Sequence, residues 1–255
     1  MSRITLFAMV ALFPCLCRGE KPGFLNRMIT AGGVAYRYVL YVPPSWTPGE
    51  KWPVILSLHG SIERGSDGIV QSRVALGAAV RRYPERFPAV IVMPQCRPGV
   101  DWIDPTMQAQ ALGALDAAIK EFNGDPKRVY LTGLSMGGYG AWNLAARYPG
   151  RFAALAVVCG GIKWPPEAAM QPLGSGNDNP YARTARAVAH IPIWVFHGDQ
   201  DRNVPVSESR RMVEALKALR VPVRYTEYPG IAHECWDITY RNPELAAWLL
   251  SQRLN

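Results

Sequence analysis

The amino-acid sequence predicts an α/β fold: one eight-stranded, mostly parallel sheet that opens with an antiparallel N-terminal hairpin and carries helices on both faces. Three observations predict it. Strand-like and helix-like runs alternate along 255 residues, a length that suits one domain with a sizeable core. Several strand-like runs are continuously apolar, as strands covered on both faces require. Helical patterns lie between them, as crossovers between parallel strands require. With 49% hydrophobic and 19% charged residues, the composition is that of a globular chain.

Ahead of the first strand, residues 1–19 read as a signal peptide. Met1-Ser2-Arg3 is a short positive region, Ile4 to Phe13 is apolar, and Cys17-Arg18-Gly19 offers small residues for cleavage. The run is too short to span a bilayer, and Pro14 and Leu16 spoil a lipobox. A secreted or periplasmic protein is expected, with residues 20–255 forming a single domain. Phe24–Thr30 and Val34–Val42 flank Ala31-Gly32-Gly33 and read as the hairpin. Strands are expected at Val54–Leu58, Ala89–Met93, Val129–Thr132, Ala154–Val158, Ile193–Phe196 and Val223–Glu227. Helices are expected at Ser72–Tyr83, Thr106–Phe122, Met136–Tyr148, Ser207–Leu219 and Pro243–Gln252. In the fourth, Met212, Val213, Leu216 and Leu219 share one face, and Ser207 is a suitable N-cap. One irregular stretch, Gly160 to about Tyr181, is rich in proline and glycine. A long loop leaving the carboxyl end of a strand is placed to wall a ligand pocket.

The formal net charge is +8, or +6 without Arg3 and Arg18. The basic residues are scattered, with no Lys/Arg run interleaved with aromatics, so no nucleic-acid partner is expected. Beyond the signal peptide, the cysteines are Cys96, Cys159 and Cys235, which allow one bridge at most. Their spacing, and that of the four histidines, fits no metal site, and no metal or cofactor is expected.

The most informative motif is Gly133-Leu134-Ser135-Met136-Gly137, directly after Arg128–Thr132. A serine on a sharp strand-to-helix turn strains its backbone, and flanking glycines remove Cβ atoms that would clash there. Such a serine is a nucleophile only beside a base that a carboxylate orients. His233 follows the last strand on a loop and is the expected base; His59 and His197 end strands and read as structural, and His190 has no supporting context. Between serine and base, Phe196–Pro205 supplies two acids. Asp201 is the expected orienting carboxylate, and Asp199 is expected to bind loop amides. The expected oxyanion donors are the amides of Met136 and of Ser61, with Ile62 as the alternative to Ser61. Glu63 and Arg64 are expected to pin that loop by ion pairing.

The runs LHGSIERGSD (58–67), MPQCRPGVDW (93–102), RVYLTGLSMGG (128–138), IWVFHGDQDRNVPV (193–206) and GIAHECWD (230–237) resemble the α/β-hydrolase superfamily. Within it the chain is similar to secreted carboxylesterases labelled predicted peptidases or prolyl-oligopeptidase-like. It is more distantly similar to feruloyl and acetyl-xylan esterases and polyhydroxybutyrate depolymerases. The resemblance implies Ser135 as nucleophile, Asp201 as acid and His233 as base. It implies a serine carboxylesterase acting on a small-molecule or polysaccharide-linked ester, with a rate that rises with pH as the base loses its proton. The rivals are a feruloyl or acetyl-xylan esterase, a polyester hydrolase, a serine peptidase and a binding protein on the same fold. A complete Ser, Asp and His set argues against the last. Trp102 and Trp236 are expected pocket walls. A Cys159–Cys235 bridge is a further expectation, since both lie at strand-end loops.

Overall fold

A computed structural model describes residues 21–163 and 179–255. Residues 1–20, with the expected signal peptide, and most of the Gly160–Tyr181 stretch lie outside the described residues. Eight strands form one sheet: β1 (Gly23–Ala31), β2 (Val34–Val42), β3 (Trp52–Leu58), β4 (Val90–Pro94), β5 (Gly124–Leu134), β6 (Ala154–Val158), β7 (Ile193–Gly198) and β8 (Val223–Tyr228). Their order is β1-β2-β4-β3-β5-β6-β7-β8. The β1–β2 and β2–β4 pairs are antiparallel, and all others are parallel.

The strands alternate between two cores, as a pleat with period two dictates. Val54, Leu56, Leu58, Val129 and Leu131 join one core, while Ile55 and Tyr130 join the other. The first core is closed by α2 (Pro105–Glu121), α3 (Met136–Arg147), α4 (Pro180–Val188) and α5 (Ser207–Ala218). The second is closed by α1 (Ala75–Arg82), α6 (Trp236–Arg241) and α7 (Pro243–Ser251). Burial on both faces explains why the central strands are apolar at consecutive positions.

Several expected boundaries shift: β5, expected over Val129–Thr132, runs Gly124–Leu134. The helix expected from Ser72 begins at Ala75, because Val70–Ser72 forms a 3₁₀ turn that the Ser72 hydroxyl ties to the Ile69 carbonyl at 2.8 Å. Ser207 is the first residue of α5 rather than its cap; Val206 holds that place with no side-chain bond. Met212, Val213 and Leu216 are buried on the α5 face as expected, but Leu219 lies past the helix end and is exposed. At the amino-terminal end of the central strand, Tyr130 Oη donates to the Gln252 carbonyl at 2.9 Å and Leu254 N–H to Lys127 O at 2.9 Å, which ties the chain beyond α7 to β5.

Candidate active site

The site lies at the carboxyl ends of β5, β7 and β8, where open α/β sheets place their ligands. Ser135 occupies the turn between β5 and α3 with φ 51° and ψ −121°, a conformation rare for a residue with a side chain. Its N–H bonds Val158 O at 2.9 Å, so the neighbouring strand β6 holds the turn. The flanking glycines are required by contact. A Cβ on Gly133 would stand 2.1 Å from the Gly137 carbonyl oxygen, and one on Gly137 2.1 Å from the Leu58 carbonyl oxygen.

Ser135 Oγ lies 2.8 Å from His233 Nε2, and His233 Nδ1 lies 2.6 Å from Asp201 Oδ2. The three side chains named from sequence therefore form one hydrogen-bonded chain. The other Asp201 oxygen accepts the Asn203 and Val204 amides, each at 2.9 Å. Burial pushes the Asp201 pKa up, but hydrogen bonds from His197, His233 and the Val204 amide overcome this and hold it well below the usual carboxylate range.

The loops that carry Asp201 and His233 are stitched together. Asp199 N–H bonds Tyr228 O at 3.1 Å, Gln200 N–H bonds Ile231 O at 3.0 Å, and Asp199 Oδ1 accepts Gly230 N–H at 2.7 Å. Asp199 thus binds a loop amide, as its position suggested. The closeness demands glycine at the end of β7, since a Cβ on Gly198 would come within 2.3 Å of the Ile231 and Ala232 carbonyl oxygens.

Ser61 begins a short 3₁₀ turn, Ser61–Glu63, and Met136 begins α3, so its N–H belongs to the unpaired first turn of that helix. Both line one cleft of about 250 Å³ with Ser135, His233 and Trp236. Ile62, at its rim, is 87% exposed. Leu134, Tyr139, Asn203 and Val204 also line the cleft and had no role in the sequence reading.

Three expectations change. Trp102 is not in the cleft. It is 1% exposed, its indole Nε1–H donates to His59 O at 2.9 Å, and its ring packs edge-on against His59 at 5.0 Å. Buried in this way it supports the loop from beneath. His59 is the other support: its Nδ1 bonds Gly60 O at 2.6 Å and its Nε2 accepts Cys96 N–H at 2.9 Å. Glu63 and Arg64 hold the loop through backbone groups rather than ion pairs. Arg64 Nε–H donates to Val100 O at 2.6 Å, and burial raises the Glu63 pKa against bonds from its own and the Gly60 backbone. Cys159 and Cys235 are free, buried thiols in hydrogen-bond contact rather than a bridge; burial raises the Cys159 pKa well above the thiol range, with Cys235 adding to the shift. His197 is buried, as a structural histidine would be, and also reaches Asp201.

Trp236 does face the cleft, with its ring edge-on to His233 at 5.4 Å. Cys159, Asp201 and His233 bring one donor atom each within 4.8 Å. That set suits hydrogen bonding better than a cation: the thiol is held protonated, and Asp201 and His233 already engage each other. Among the described residues no helix is long and apolar enough to cross a membrane.

The prolyl oligopeptidase family model matches residues 106–251. A poly(3-hydroxyoctanoate) depolymerase of Pseudomonas fluorescens is 32% identical over 156 residues, covering 54% of this chain and 56% of that protein. An uncharacterized secreted protein of Arthroderma benhamiae is 24% identical over 236 residues, covering 82% of this chain and 24% of that one. A thermostable esterase of solved structure superposes with a TM-score of 0.76 at 33% identity, covering 90% of this chain and 63% of that one. The chain thus spans about half or less of the length of these two curated relatives.

Proposed function

This chain belongs to the prolyl oligopeptidase family and has the α/β-hydrolase fold of a serine hydrolase, and we propose that it acts there as a carboxylesterase on short-acyl esters, with Ser135 as nucleophile, His233 as base and Asp201 as the carboxylate that orients it. The observation that carries this reading is the unbroken chain Ser135 Oγ–His233 Nε2 (2.8 Å) and His233 Nδ1–Asp201 Oδ2 (2.6 Å). Asp201 accepts a hydrogen bond from Nδ1–H, which keeps the proton on Nδ1 and leaves the Nε2 lone pair facing the hydroxyl. As Ser135 Oγ attacks the ester carbonyl, its proton passes to His233 Nε2. The Met136 and Ser61 amides stabilise the oxyanion that forms. His233 then returns the proton to the departing alcohol, and water repeats the sequence on the acyl-enzyme.

In this reading residues 20–255 form one catalytic domain and residues 1–19 direct export. The name of the Arthroderma relative is consistent with that. A polyester substrate is the second reading. It draws on the depolymerase relative and on the exposed Ile62 at the cleft rim, an apolar contact for a long acyl chain. Initial rates on p-nitrophenyl acetate, butyrate and octanoate, with Ser135→Ala as control, test both. The short-ester reading expects acetate and butyrate to turn over fastest, and Ser135→Ala to lose several orders of magnitude. A preference for octanoate favours the polyester reading. No turnover above the Ser135→Ala background on any ester sinks both.

A further inference from the structure

The buried polar groups around the acid include one that the mechanism above does not use. His197 is the penultimate residue of β7, and its side chain, like that of Asp201, is fully buried. Its Nε2 lies 3.1 Å from Asp201 Oδ2 and 2.9 Å from Val204 O, and its Nδ1 lies 2.7 Å from Ser209 Oγ on α5. These partners fix where the protons sit. Asp201 Oδ2 and Val204 O are both acceptors, so Nε2 must carry a hydrogen. Ser209 is the one neighbour of the ring that can donate or accept.

We propose that His197 is a positioning residue: its Nε2–H shares the Asp201 oxygen that orients His233, and so limits how strongly that carboxylate holds the base. The proposal rests on the catalytic reading of Ser135, His233 and Asp201 given above. With His197 in place, two amides on Oδ1 and two imidazoles on Oδ2 fill the four acceptor sites of the carboxylate. Without it, Oδ2 keeps a single donor in a place shielded from water. The charge then concentrates on the His233 Nδ1–H bond, and the protonated base is held longer.

Other ionisable groups near the pair are engaged elsewhere or stay neutral: from α3, Tyr139 has Asp201 among its charged neighbours but is buried and keeps its proton. From β8, Glu227 lies opposite His197 in the strand register, and its carboxylate is already held by Arg210 at 2.5 and 2.9 Å and by Tyr225 Oη. Just past β6, the Cys159 thiol lies beside Asp201 and His233 and stays protonated. Glu63 lines the cleft, and Glu208 on α5 accepts the Ile162 and Lys163 amides.

The test compares kcat, KM and the pH profile of kcat/KM on p-nitrophenyl butyrate for wild type, His197→Asn, His197→Gln, Ser209→Ala and Ser135→Ala. An asparagine amide reaches the Nδ1 position and keeps Ser209 but not Asp201; a glutamine amide nitrogen reaches the Nε2 position. His197→Asn is expected to lower kcat about 10- to 100-fold, the effect of one hydrogen bond to a charged group. KM should change little, and the acid limb should move to higher pH. His197→Gln should recover most of the loss and return the limb toward its place. Ser209→Ala, which frees the tautomer, should shift the limb the same way by less, and it carries the test if His197→Asn does not fold. An unmoved limb, or equal losses in the Asn and Gln variants, overturns the proposal. Activity that survives Ser135→Ala overturns the catalytic reading and this proposal together. An inactive Ser135→Ala beside an unchanged His197→Asn overturns this proposal alone.

Discussion

His59 shows how one side chain ties the site to pH. It is buried beneath the Gly60 loop, and burial lowers its pKa from 6.5 to about 4, with Arg64 adding to the shift. The unfolded chain takes up the proton near 6.5 while the folded chain resists it until about 4. The stability from neutral His59 is therefore complete above pH 6.5 and is lost as pH falls toward 4, by ~3 kcal/mol. Urea midpoints should fall across that window, and His59→Asn should flatten the slope while lowering the plateau. A wild-type midpoint that does not move between pH 6.5 and 4 would falsify the neutral, buried assignment. Asp201 acts lower down: its depressed pKa contributes stability above the usual carboxylate range that is lost as pH falls through the folded value. At this scale the sequence was most legible where spacing carries chemistry. Ser135 was marked by its glycines, His233 by its place after the last strand, and Asp199 was separable from Asp201 on the same short loop. Trp102 was not legible, because whether an indole faces a cleft or lies under it depends on what the loop rests on. His197 was hidden for a related reason: a histidine ending a strand looks like packing until the carboxylate beside it is seen.

Most helices and strands were legible to within a few residues, and α4 and α6 were missed for different reasons. Asp104, Asn179 and Asn242 each precede a proline at a helix start, and each side chain accepts a first-turn amide. The same pair marks the start of α4, which the sequence expectations leave inside a proline- and glycine-rich stretch. α6 has only six residues, too few to show a period. One side chain links two elements in a way that no periodicity reveals. Glu208, in the first turn of α5, is buried and accepts the Ile162 and Lys163 amides at 2.8 and 3.0 Å and the Tyr181 hydroxyl at 2.5 Å. It fastens the segment leaving β6 to both α4 and α5. Glu208→Gln replaces one acceptor with a donor among three donors, and should cost about 1–3 kcal/mol. Chemical denaturation measures this directly, and a loss below a few tenths would mean the carboxylate is not needed there. The same scale predicts the result of crowding the stitched loops. Gly198→Ala puts a methyl against two carbonyl oxygens of the His233 loop. Esterase activity should fall by more than the loss of stability explains, since the base must shift to make room.

Across the whole molecule, alternation of apolar runs and helical spacing was enough for a mostly parallel sheet with an antiparallel opening hairpin. The order β2-β4-β3-β5 was not readable, because strand neighbours are chosen by crossovers and not by any local pattern. Nor was the tie from Leu254 to Lys127, since a single backbone bond leaves no mark in composition. Ser135 sets a conflict for the molecule as a whole. Its backbone is held at φ 51°, a region glycine enters freely and other residues enter at a cost of order 1–3 kcal/mol. Glycine at 135 relieves that strain, offset in part by the greater freedom it gives the unfolded chain. Ser135→Gly should therefore melt a few degrees higher than wild type while hydrolysing nothing. A library of this protein screened only for survival on heating will enrich glycine at that position, and its hardiest members will be inert. Evolving a sturdier catalyst from this scaffold requires turnover to be scored in every round.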